Sequence, residues 1–140
     1  MGTFYENPRD LTPNQALYLD DYCKKSKDFP EEFKDIPDFH YVYEWKDGGF
    51  IDYTIEDNSG FDYKGDYIDD KCFYIWCLFS KENAINRYKE IVKIAKEDYK
   101  CNNIRFSTLR NQDVWIKRLK KAGIKLVIEQ TIFKCNLEEN

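Results

Sequence analysis

Cys72-Phe73-Tyr74-Ile75-Trp76-Cys77-Leu78-Phe79 is apolar or aromatic at every position. A strand with one wet face alternates polar and apolar residues, so an unbroken run of this length predicts a central strand covered on both sides. A helix signal follows at once. Ser80 stands as a candidate cap, and Ala84, Ile85, Tyr88, Ile91, Val92, Ala95 and Tyr99 return at three- and four-residue spacings, as the inward face of a long helix requires. Asn103 to Thr108 then reads as a short strand with Ile104 and Phe106 on one face.

Upstream of the central run, Phe39 to Trp45 and Phe50 to Glu56 are rich in aromatic and β-branched residues and are separated by Lys46-Asp47-Gly48-Gly49. Residues that tolerate positive φ between two such runs predict a β-hairpin. Residues 57–71 are polar and acidic, interrupted by Phe61, Tyr63, Tyr67 and Ile68, and read as a long, partly ordered hairpin connection, the natural place for a mobile flap. Thr12-Pro13-Asn14-Gln15 has the pattern of a capping box with proline in the first turn, opening a helix to about Ser26 whose expected inward face is Ala16, Leu19, Tyr22 and Cys23. A second short helix is expected around Pro30 to Phe33, capped by Asp28, with Phe33 and Ile36 inward, and Thr3-Phe4-Tyr5 reads as a short edge strand. Beyond residue 108, an amphipathic helix from about Gln112 to Ala122, capped by Asn111 and ended by Gly123, precedes strand-like runs at 124–128 and 131–137.

The 140 residues predict one domain, and the 42 % apolar share with 11 Tyr, 10 Phe and 3 Trp argues against disorder. Five scattered cysteines without a C-x-x-C pair, and a single histidine, read as reduced and mostly buried thiols in a cytoplasmic protein, with no metal site. No stretch approaches the roughly 20 apolar residues of a membrane span, and no leader pattern is apparent, so neither membrane insertion nor secretion is expected. The net charge of −4 is polarised: residues 1–70 carry 18 acidic and 7 basic side chains, residues 71–140 carry 8 and 15. That asymmetry suits a cationic ligand on the first half and an anion on the second, or simply two solvated faces of opposite sign.

The order strand, helix, short helix, hairpin, long loop, central strand, long helix, strand, helix, β tail, with Asn111 twelve residues before Gly123, resembles the Gcn5-related N-acetyltransferase family over nearly the whole chain. The resemblance implies an α/β (α+β) fold with a central mixed, mainly antiparallel sheet flanked by helices. It also implies acetyl-CoA as cofactor, held where the central strand and the next one part and where a glycine-rich turn opens the long helix. Leu78, Phe79, Lys81, Asn83, Ala84, Ile85, Arg87 and Asn111 become the candidate cofactor-binding residues. The chain departs from the family pattern at Ala84 and Asn86, which replace small or glycine residues, and at Leu119, where the family often carries a tyrosine proton donor.

A helix N-terminus with Lys81 and Arg87 nearby also suits phosphate on physical grounds alone, as it suits ordinary capping. Candidate bases for an amine are Glu44, Asp52, Glu56 and His40 in the hairpin region, none singled out by a motif, so the catalytic residues stay unassigned. Two functions remain open: a divergent acyl-CoA-dependent N-acetyltransferase for an amine-bearing small molecule or protein, or a non-catalytic protein that keeps the fold for assembly with a protein partner. Arg105, Arg110, Lys117, Arg118, Lys120, Lys121 and Lys125 form a basic cluster, but no nucleic-acid module accompanies it and a solvated helix face is the simpler reading.

Overall fold

The computed structural model describes residues 2–25, 31–34, 36–82, 84–106, 117 and 120. Contacts divide the chain into two units, Met1–Ser107 and Thr108–Asn140. In the second, Lys117 and Lys120 are helical and exposed; the expectations for Asn111, Leu119, Gly123 and the β tail, like those for Asp28, Asn83, Ser107 and Thr108, lie outside the described residues.

The first unit runs β1 (Gly2–Glu6), α1 (Pro13–Lys25), α2 (Glu31–Lys34), β2 (Tyr41–Trp45), β3 (Phe50–Asp57), β4 (Gly60–Phe61), β5 (Tyr67–Ile68), β6 (Lys71–Phe79), α3 (Ala84–Glu97) and β7 (Asn103–Phe106). Five strands form one sheet in the order β1-β2-β3-β6-β7. Every neighbouring pair is antiparallel except β6 and β7, which run parallel across the α3 crossover. The fold is therefore mixed α/β, with a mainly antiparallel sheet. The apolar run at 72–79 is an interior strand, as expected, although the middle of the five belongs to β3.

Alternation along β2 sends Val42 and Glu44 to one face and Tyr43 and Trp45 to the other. The first face meets α1 and α2: Val42, Phe50 and Cys77 form a core onto which Tyr5, Tyr18, Phe33, Ile36 and Phe79 pack. The second face meets α3 where Trp45 lies under Arg87 and where Tyr43 and Trp45 bond to Glu90; Tyr88 and Ile91 of the same helix are buried. There Tyr53 stacks on Phe73 with ring centroids 4.3 Å apart, and its hydroxyl lies 2.5 Å from that of Tyr99.

The β3–β6 register slips once. Asp52 faces Cys77 while Tyr53 faces Ile75, leaving Trp76 as the extra residue of a bulge. Trp76 Nε1 donates to Thr54 Oγ1 at 2.9 Å, which holds the bulge to its neighbour. Among the described residues, β7 pairs with β6 from Cys72 to Ile75, the residue before the bulge.

Two segments depart from expectation. The inward side of α1 is Gln15, Tyr18, Leu19 and Tyr22, while Ala16 and Cys23 are exposed. The helix is turned this way because its polar first-turn side chains are drawn to the sheet: Asn14 Nδ2 donates to the carbonyls of Trp45 (2.6 Å) and Gly49 (2.9 Å). Only half of the capping box forms, with Thr12 N donating to Gln15 Oε1 at 3.1 Å, and Thr12 Oγ1 has no partner. Ser80 is not the cap of the long helix, which begins at Ala84; its hydroxyl donates to the Glu82 carbonyl at 2.9 Å and closes a local turn instead. The 57–71 connection is folded back as the β4–β5 ribbon, whose turn is tied by Asp62 Oδ1 accepting from the amides of Lys64 and Asp66, each at 2.9 Å.

The aromatic face gives a direct stability test. Tyr99→Phe keeps the ring but leaves the buried Tyr53 hydroxyl without its partner, and urea denaturation should show a loss of about 1–3 kcal/mol. Unchanged stability of that variant would mean the hydroxyl pair contributes nothing.

Candidate functional site

Among the described residues, two neighbourhoods bring together chemistry-bearing side chains. The first is the end of β6 and the start of α3, where the cofactor residues were expected. Leu78 and Phe79 are half-buried, and Phe79 is occupied in packing, its ring 4.4 Å from Tyr18 and 5.9 Å from Phe50. Lys81 is exposed, with its ammonium against Gly48 at the tip of the β2–β3 turn, where φ is +106°. Ala84 opens α3 and Ile85 is half-buried in its first turn. Asn83 and Asn111 lie outside the described residues.

Arg87 points inward. Its guanidinium bonds to Asp47, lies 3.4 Å from Glu90 Oε2 and 3.6 Å from Glu82, and stacks over the Trp45 ring at 4.5 Å. Glu90 also accepts from Trp45 Nε1 at 2.7 Å and from the Tyr43 hydroxyl at 3.2 Å. Burial, with Glu90 beside it, pushes the Tyr43 phenol up to about 12. The Gly49 amide and the Arg87 charge hold the Asp47 carboxyl below the usual range. A guanidinium matched by these carboxylates and capped by an indole ties α3 to the hairpin; it leaves Lys81 as the exposed cation among the candidates named in this segment.

The second neighbourhood is a cleft of about 400 Å³ on the α1–α2 side. Its polar wall is Arg9 and Asp10 from the β1–α1 segment, Asp38 and His40 from the α2–β2 segment, Gln15 of α1 and Asp52 of β3. Asp52 has no exposed surface. Its Oδ1 accepts from Gln15 Nε2 at 2.6 Å and lies 3.3 Å from His40 Nε2, while Oδ2 has no partner. His40 Nδ1 is 2.8 Å from the Pro37 carbonyl. A carbonyl only accepts, so Nδ1 carries a hydrogen, and Nε2 can meet the carboxylate favourably only with a second proton between them. The pair therefore shares one proton. The Asp52 hydrogen bond raises the His40 pKa, and desolvation raises that of Asp52.

The other hairpin carboxylates are differently placed. Glu44 is buried with one oxygen accepting from Tyr5 OH and the other from the Asn14 amide, each at 3.0 Å, so it anchors the first turn of α1. Glu56 is half-exposed at the far end of β3. Of the basic cluster, Arg105 is engaged by Asp70 through both guanidinium nitrogens at 2.9 and 3.2 Å. Sequence reasoning named His40 and Asp52 separately and used Gln15 only as a cap; the signal for their union was a carboxylate two residues from Phe50, on the strand face that has to be buried.

No protein-family model matches the chain, and no curated protein matches it. Solved structures similar to it include AAC(6')-Iy in complex with the bisubstrate analog CoA-S-monomethyl-acetylneamine, at 13 % identity and a TM-score of 0.49, covering 97 % of this chain and 98 % of that one. No helix among the described residues is long and apolar enough to cross a membrane.

The shared proton makes stability depend on pH. Both groups bind protons more tightly folded than unfolded, so their contribution falls as pH rises from the ordinary Asp value through the raised His40 value. Urea midpoints between pH 4 and about 8 should decline more steeply for the natural protein than for Asp52→Asn; equal slopes would contradict the pairing.

Proposed function

We propose that residues 1–140 form one divergent acetyltransferase-like domain that uses an acyl-CoA, acetyl-CoA in the simplest case, to acylate an amine in the cytoplasm. The observation that carries this reading is the β6–α3–β7 crossover. It supplies the sole parallel pair described in an otherwise antiparallel sheet, with a bulge at Trp76 on the strand it shares with β3. In the family the chain resembles, this is where the strands part around the pantetheine arm. Backbone groups of Cys77, Leu78 and Phe79 beyond the bulge would then align and polarise the thioester carbonyl, and the bound acyl-CoA would supply the acyl group to the neutral amine, the amide bond forming as the C–S bond breaks and the proton lost by nitrogen ending on the departing CoA thiol. Lys81 would meet the cofactor phosphates near the start of α3, whereas Arg87 supports the site from beneath through Trp45 and Asp47. Two buried free thiols, Cys72 and Cys101, suit a reducing compartment.

A second reading rests on a specific surface. Phe61, Tyr63 and Tyr67 on the β4–β5 ribbon are 76 %, 93 % and 62 % exposed, as an assembly contact on a protein that no longer uses the cofactor would require.

Calorimetric titration with acetyl-CoA separates the two. The acetyltransferase reading expects saturable binding, weakened about fivefold by Lys81→Ala, equivalent to about 1 kcal/mol, with the urea midpoint unchanged. Arg87→Ala should instead destabilise the fold by about 3 kcal/mol. Absence of binding at millimolar acetyl-CoA would overturn the cofactor assignment and favour assembly through the ribbon.

A further inference from the structure

The β1–α1 and α2–β2 segments close over Asp52 with an imbalance that a ligand would correct. Asp10, Asp38 and Asp52 against Arg9 and His40 leave the cleft wall with one net negative charge when the His40–Asp52 pair holds its shared proton. The remaining wall includes Pro8, Leu11, Phe33 and Ile36, all apolar. At its buried end, Asp52 Oδ2 is a carboxylate oxygen without a hydrogen-bond partner. Such an atom is costly unless something donates to it. Its sister oxygen already serves Gln15 and His40, and both His40 nitrogens are engaged, so the unfilled demand is for a donor, and a cationic one by charge.

We propose that this cleft binds a primary ammonium group carried on an apolar body, with the ammonium donating to Asp52 Oδ2 and the body lying along Phe33, Ile36 and Leu11. A primary ammonium tip is close to water in size and carries three donors, whereas a methylated nitrogen is both wider and poorer in hydrogens. Arg9 at the cleft wall tolerates or assists an acidic group on the same ligand, and Asp10 and Asp38 draw the cation in. The inference deepens the amine-acceptor reading by naming a place and a chemical class for the amine. It needs no cofactor, and Asp52 sits opposite Cys77, one residue from the Trp76 bulge, so an amine held here lies beside the proposed acyl site.

His40 is the chain's one histidine, so its imidazole signals in a proton NMR spectrum report the cleft without any substitution. Phenethylamine, added without CoA, should shift those signals saturably and lower the His40 pKa by roughly one unit, because a cation at Asp52 weakens the carboxylate's hold on the imidazolium. Phenethyl alcohol should leave that pKa in place, and N,N-dimethylphenethylamine should bind at least tenfold more weakly. Asp52→Asn, checked for folding by circular dichroism, should lose the response; if that variant does not fold, the natural protein's titration decides alone. His40 signals that ignore phenethylamine at millimolar concentration would overturn the site, as would an equal response to the alcohol. Because CoA is absent, either result is independent of whether the cofactor reading succeeds.

Discussion

The Arg87 guanidinium, stacked on Trp45 and bonded to Asp47 and Glu90, fixes where the long helix sits on the sheet. Its partners come from the β2–β3 hairpin, from α3 itself and, at 3.6 Å, from Glu82 just before that helix. The same hairpin is held from its other face, where Asn14 of α1 donates to the carbonyls of Trp45 and Gly49, and Glu44 receives the Asn14 amide. One tight corner thus receives helices from both sides. A buried charge of this kind is stabilising only while its carboxylates stay in place, so the corner ties the geometry of one helical layer to that of the other.

From that corner the two faces diverge in chemistry. The α3 face is closed by rings, with Tyr41, Tyr53, Phe73 and Tyr99 in mutual contact and the Tyr53 and Tyr99 hydroxyls hydrogen-bonded to each other. The α1 face carries an apolar core at Val42, Phe50 and Cys77, but beside it a carboxylate is buried with one oxygen unsatisfied. Burying Asp52 there opposes folding in a way that an apolar residue would not. A cost of that kind, set at the wall of a cleft and one strand away from the Trp76 bulge, is one that the proposed ammonium ligand would offset.

The elements written in local pattern were legible from the residues. The unbroken apolar run gave β6, the Asp47-Gly48-Gly49 corner gave the hairpin, and the three- and four-residue spacing gave α3. What escaped depends on partners far away in the chain. The rotation of α1 follows from Asn14 and Gln15 reaching to residues more than thirty positions distant. Arg87 looked like a phosphate ligand because sequence shows its charge and its place near a helix start but not Asp47, forty residues earlier, which claims it. Ser80 looked like a cap because its spacing fits, while its hydroxyl is taken by the nearer Glu82 carbonyl. His40 and Asp52 were each visible as titratable residues in strands, and only the fold makes them one proton-sharing unit.

On the proposed reading, β6 beyond its bulge and the start of α3 receive an acyl-CoA. Amide hydrogen exchange measured with and without acetyl-CoA addresses it segment by segment. Slowed exchange is expected, centred on residues 76–87, with the Tyr53–Tyr99 face unchanged. Exchange in 76–87 that is indifferent to saturating acetyl-CoA would contradict it.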